Sequence, residues 1–135
     1  MNDLIVRDGF VPHTRKSAVT TPWEPLYACV TADAFILGLH IRPEHCNGRG
    51  LLHGGVIAAL ADNAMGLSAA LRYDPAPGLV TVEMKTQFMR PAEGPLLAQA
   101  TLMHRTATMV FTEGRVLDAR GGLCAHATGT FKFVR

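Results

Sequence analysis

Within this 135-residue chain, Asp62 is the residue best placed to do chemistry: it is the one carboxylate in the apolar stretch VIAALADNAMGLSAAL, residues 56–71. Burying a carboxylate without partners costs several kcal/mol, so Asp62 needs hydrogen-bond partners or a task. Eight residues upstream, Gly54 and Gly55 open the same stretch. Glycines at a helix start leave backbone N–H groups unpaired at the positive end of the dipole, and their missing side chains let a carbonyl oxygen approach, as an oxyanion hole requires. Spacing decides how the two parts combine. Gly54 and Asp62 lie roughly 12 Å apart along a helix rising about 1.5 Å per residue, whereas a donor and a base serving one carbonyl each sit about 3 Å from the reacting atoms. One helix cannot do both. Two copies around a two-fold axis can, with the glycine end of one facing Asp62 of the other, which gives two identical sites per dimer.

The element that carries these residues is a helix. Residues 56–71 contain no proline, are rich in Ala and Leu, and put apolar side chains on nearly every face, so the helix must be wrapped by something. A bilayer is one candidate, since residues 51–71 make up the roughly twenty that a span needs. Two glycines inside that span and an acid at its middle, where insertion costs about 2.5 to 3.5 kcal/mol, argue against it, and no second apolar run of similar length exists. A curled sheet is the better wrapper. Strands are expected over residues 26–31 and 34–41 before the helix, and over the run LVTVEMKTQF and residues 96–106, 109–118 and 123–134 after it. Turn-rich segments separate them, and the loop PEHCNGRG delivers Asn47 to the mouth of the helix. The fold class is therefore α+β.

Composition sets outer bounds. With 48% hydrophobic and 18% charged residues the chain reads as one globular domain, residues 26–135, behind a loosely packed polar arm, residues 1–25. The arm lacks the apolar stretch of a secretory signal, so a cytoplasmic protein is expected. Cys29, Cys46 and Cys124 are odd in number and lack C-x-x-C spacing, which disfavours a disulfide framework and a zinc site. The histidines other than His53 form no ligand-spaced cluster, and no metal or cofactor is expected. A net charge of +2, without a basic run interleaved with aromatics, disfavours nucleic acid and suits a small anionic ligand.

Asn47, then His53-Gly54-Gly55, then Asp62-Asn63 resembles the HGG-containing acyl-CoA thioesterases of the hotdog fold, in the phenylacetate-pathway and mammalian thioesterase-superfamily branch. The likeness runs from about Leu26 to the C-terminus. It implies a six-stranded antiparallel sheet wrapped around one long helix, a homodimer formed by sheets pairing edge to edge, and a homotetramer built from such dimers. It also implies an acyl-CoA substrate. Under it, Gly55 or Gly54 polarises the thioester carbonyl, Asp62 of the other chain acts as general base or nucleophile, and Asn47 and Thr81 position the water. Two arginines at the rim, Arg90 and Arg105, correspond to positions that hold the coenzyme A phosphates.

Each assignment has a plainer rival in the residues themselves. Asn47 can bond its own loop. His53 can fix the turn or polarise the thioester carbonyl. Thr81 falls in step with Glu83 and Lys85 and alternates with Met84 and Thr86, so simple pleating groups it with the charged face, where it can be a β-branched residue serving strand propensity alone. Two other functions also use such a fold: an acyl-CoA dehydratase or hydratase, which needs a His and acid pair, and a non-catalytic acyl-CoA sensor.

Overall fold

A helix that is apolar all round needs a partner on every side, and a single antiparallel sheet covers one of them: Ile57, Leu60, Ala61, Ala64, Met65 and Ala69 are buried, while Ala58, Ala59, Asp62 and Gly66 on the other face are half-buried. The computed structural model describes residues 9–134; the first eight residues of the expected arm lie outside that range. The strands are β1 (Val11–Pro12), β2 (Leu26–Val30), β3 (Phe35–Leu39), β4 (Gly78–Phe88), β5 (Leu96–Arg105), β6 (Met109–Leu117) and β7 (Leu123–Val134), and helix α1 spans Gly54–Ala70. Their order across the sheet is β1-β2-β3-β5-β6-β7-β4, every neighbour antiparallel. The six expected strands are all present. The seventh, β1, is only two residues long and belongs to the N-terminal arm.

That arm is held more closely than a polar sequence suggests. Val11 pairs with Ala28, the His13 N–H donates to the Leu26 carbonyl at 2.9 Å, and the His13 ring meets Phe35 edge to face. Thr20, buried, closes a turn on Ser17. Burial lowers the His13 pKa below its usual 6.5, the charged form being disfavoured in this apolar setting.

Helix and sheet approach closely because the enclosing strands carry small residues where they cross the helix. Met65 is fully buried, and Ala98, Ala100, Ala125 and Ala127 around it are at most 2% exposed. A Cβ at Gly129 would stand 3.0 Å from Met65 Cε and 3.1 Å from Phe131 Cε1, and one at Gly114 would stand 3.3 Å from Met65 Cγ. The two glycines thus make the space that Met65 fills. Ser68, the buried hydroxyl of the helix, donates back to the Met65 carbonyl at 2.7 Å, and Thr112 donates to the Gly129 carbonyl at 2.9 Å, so these buried polar groups are satisfied.

Two substitutions check this packing by urea unfolding. Met65→Ala is expected to cost about 2 to 5 kcal/mol by leaving a cavity, and Gly129→Ala about 1 to 3 kcal/mol by overpacking. Because the added methyl would enter the space Met65 vacates, the double variant is expected to lose less than the sum.

Candidate active site

Strand β4 lies at the edge of the sheet, and its ladder with β7 contains one irregularity. Thr81 pairs with Phe131, but Glu83, not Val82, pairs with the next residue back, Thr130. Val82 is therefore an extra residue, a β-bulge, and it reverses the in-out parity of the strand. Leu79 and Thr81 face the helix before it; Met84 and Thr86 face inward after it, while Val80 and Val82 are 47% and 55% exposed. Strict alternation put Val80 and Val82 on the same face as Met84 and Thr86. The bulge is why they are not, and why Thr81 leaves the charged face. Its hydroxyl donates to Asp62 Oδ1 at 2.7 Å.

Asp62 and Thr81 share a cavity of about 220 Å³ whose apolar walls include Leu67, Leu79 and Phe131. No histidine is among its lining residues. Arg15 is, although the sequence marks it only as one charge in a polar arm.

A second cavity, of about 280 Å³, lies at the mouth of α1 between Asn47, Gly54, Ile57, Phe88 and Arg90. Gly54 presents its open side to the Phe88 ring, at 3.4 Å from where a Cβ would stand. As the first residue of the helix its N–H has no intrahelical partner. The Gly55 N–H donates to His53 Nδ1 at 2.8 Å, so His53 is the helix N-cap. A ring that accepts at Nδ1, when neutral, carries its proton on Nε2. The Asn47 side-chain oxygen accepts from the N–H groups of Arg49 and Leu51 at 2.9 and 3.2 Å, holding the loop in an Asx turn and leaving the amide nitrogen unused by that turn.

The two expected rim arginines sit at opposite ends of the sheet. Arg90 follows β4 and reaches the β6–β7 turn, where it meets Asp118 at 2.8 Å. Asp118 is buried, and its other oxygen accepts from the N–H groups of Arg120 and Gly122. Burial pushes that carboxyl up. The two backbone N–H groups and the guanidinium outweigh it and hold the acid below its usual range. A Cβ at Gly122 would collide with the Arg90 guanidinium, so the glycine leaves the space in which Arg90 meets Asp118. Arg105, at the end of β5, donates to the Tyr73 hydroxyl at 3.0 Å and lies over that ring, beside a cavity of about 620 Å³ that Pro75, Pro77 and Phe133 also line.

One chain therefore brings Asp62 and Thr81 together, and separately Asn47, Gly54 and Arg90, in two cavities that share no residue. Sequence reasoning missed Asp118 and Tyr73, the residues that orient the two arginines, as well as Arg15. The Asp followed by two glycines in the 118–122 turn signals a side-chain-capped turn, but nothing in the letters ties it to Arg90.

The comparisons with known proteins agree on one family. Residues 49–125 match the family model described as the thioesterase superfamily. A Pseudomonas aeruginosa protein with a provisional esterase name is 31% identical over 93% of this chain and 96% of its own. Human acyl-coenzyme A thioesterase 13 is 33% identical over 70% of this chain and 69% of its own. Among solved structures, a Bacillus halodurans protein crystallised with coenzyme A is 29% identical, with a TM-score of 0.70 over 73% of this chain and 66% of that one.

Asp118→Asn is expected to cost about 1 to 3 kcal/mol at neutral pH, since it leaves Arg90 without its buried partner. Because the native carboxyl titrates below 3.8, the wild-type advantage is full above that pH and is lost as the pH falls through the native pKa. Denaturant midpoints of both proteins across an acid series read this out.

Proposed function

The chain belongs to the thioesterase superfamily, whose members are thioester hydrolases with the hotdog fold, and from that premise we propose that it hydrolyses acyl-CoA thioesters at sites shared between two copies. The observation that carries this reading is the split of the site along β4. Phe88, at one end of the strand, borders the cavity with Gly54 and Asn47; Thr81, near the other end, holds Asp62. Strand β4 pairs only with β7, so its other edge is open, with Val80, Val82 and Phe88 exposed along it. An eleven-residue edge of this kind is normally covered. Antiparallel pairing with the β4 of a second copy brings the glycine end of one chain against the Asp62 end of the other. It also brings Arg90 of one copy toward Arg105 of the other, two guanidiniums suited to the phosphates of coenzyme A. The homodimer is the minimum assembly of this reading, and a homotetramer would repeat it.

The chemistry follows from the groups. The thioester oxygen sits against the N–H groups at the helix mouth, Gly54 first, with Gly55 joining when the oxygen displaces the His53 cap. Asp62 of the facing chain, steadied by Thr81, takes a proton from water, and the hydroxide formed attacks the carbonyl carbon. The tetrahedral oxyanion is stabilised by the amides. As it collapses, the C–S bond breaks and the thiolate of coenzyme A takes up a proton. Direct attack by Asp62, giving a mixed anhydride that water then opens, uses the same positions. Asn47 offers its free amide nitrogen to the water or thioester. Three free thiols, and no described helix long and apolar enough to cross a membrane, suit the cytoplasm that this substrate implies.

Thiol release from a panel of acyl-CoAs tests the activity. Asp62→Asn is expected to lower kcat about 10²- to 10⁴-fold with little change in KM, and binding without thiol release by the wild type would favour the sensor. The shared site has its own test. Asp62→Asn and Gly54→Val should each be inactive alone, yet refolded together they should regain about a quarter of wild-type activity, because half the dimers then hold one intact site. No recovery in demonstrated heterodimers would overturn the shared site.

A further inference from the structure

We propose that Arg15 is a specificity-determining residue that receives a carboxylate at the far end of the acyl group, so that the preferred substrates are short dicarboxylic acids linked to coenzyme A through one carboxyl; this rests on the acyl-CoA hydrolysis proposed above. Arg15 lines the same cavity as Asp62 and Thr81. It arrives there from the opposite margin of the sheet. Strand β1 starts the sheet and β4 ends it, and the segment after β1 carries Arg15 to the cleft that β4 bounds on its other side.

The segment is fixed on both sides of the arginine. Before it, His13 is buried against Phe35 and its N–H bonds the Leu26 carbonyl. After it, Lys16 pairs with Glu24 at 3.2 Å and Thr20 is buried in its turn on Ser17. A tether of this kind limits the conformational freedom that an exposed arginine would lose on gripping a ligand. Arg15 itself is exposed, and no carboxylate among the described residues pairs with it. Two other arginines differ: Arg42 pairs with Glu44 and Arg90 with Asp118.

The remaining walls indicate what enters. Leu67, Leu79 and Phe131 accept methylenes, and the volume of about 220 Å³ suits a short chain. Among the described residues Asp62 is the only acid lining the cavity, and its Oδ1 accepts from the Thr81 hydroxyl. A cation in the same cavity as the reacting acid is too near the thioester to serve the phosphates, which the pantetheine arm holds well away. A planar guanidinium takes a carboxylate in a bidentate, charge-assisted pair that an isosteric methyl cannot make, which favours the acid over the methyl.

The test compares glutaryl-CoA with pentanoyl-CoA, equal in chain length, on the wild type, Arg15→Gln and Arg15→Lys. The wild type is expected to favour glutaryl-CoA in kcat/KM by about 10-fold or more. Arg15→Gln should bring that ratio near one by losing glutaryl-CoA turnover while pentanoyl-CoA turnover stays within about two-fold, and Arg15→Lys should restore part of the preference. A wild type that hydrolyses both but prefers pentanoyl-CoA, or a preference that Arg15→Gln leaves intact, overturns the role of Arg15 and leaves the thioesterase reading standing. Failure to release thiol from either substrate, or from the rest of the panel, overturns the thioesterase reading and this inference with it.

Discussion

Helix α1 has apolar side chains on nearly every face, and the rest of the molecule is shaped by having to cover it. The sheet buries one stripe, from Ile57 to Ala69, and leaves Ala58, Ala59 and Asp62 half-buried on the other face; the strands around the helix midpoint present Ala and Gly where ordinary strands present larger residues. That choice brings backbones close enough for Met65 to fill the space left by Gly114 and Gly129. The same closeness leaves little room for polar groups, so Ser68 and Thr112 turn to nearby carbonyls. Asp62 is the exception. It lies on the side where the two margins of the sheet approach each other, half-buried, and finds its partner on the edge strand.

The bulge at Val82 makes that partnership possible. Without it, β4 would turn Thr81 toward solvent beside Glu83 and Lys85, and Asp62 would lose its hydroxyl partner. With it, two valines face outward on a strand whose far edge is unpaired. One local irregularity therefore serves both features on which the proposed reaction depends, an oriented acid and an apolar edge for a second copy. The arginines show similar economy. Each is oriented by a residue from a turn or loop, Asp118 for Arg90 and Tyr73 for Arg105, so both guanidiniums are held in place by the chain itself.

Taken alone, the amino-acid order determined the class of fold, the placement of the long helix and all six principal strands within a few residues. Those features are local or periodic: Ala- and Leu-rich residues without proline make a helix, alternating β-branched residues make strands, and glycine pairs punctuate them. The separation of roughly 12 Å between Gly54 and Asp62 is also local, fixed by helical rise, and the proposal that two copies share one site starts from it.

Tertiary structure alone decided the rest. The inward turn of Thr81 depends on which residue of β7 is skipped in pairing, and no alternation rule records a skipped partner. His53 proved to be the helix cap because its ring lies within reach of the Gly55 N–H, a matter of one rotamer. Asp118 and Arg90 are separated by β5 and β6, and Arg105 and Tyr73 by β4 and the length of β5, so no spacing in the chain announces them. Arg15 is the plainest case. In sequence it is one charge in a polar arm, and only the pairing of β1 with β2, with His13 buried beside it, carries that charge across the helix to the cavity of Asp62.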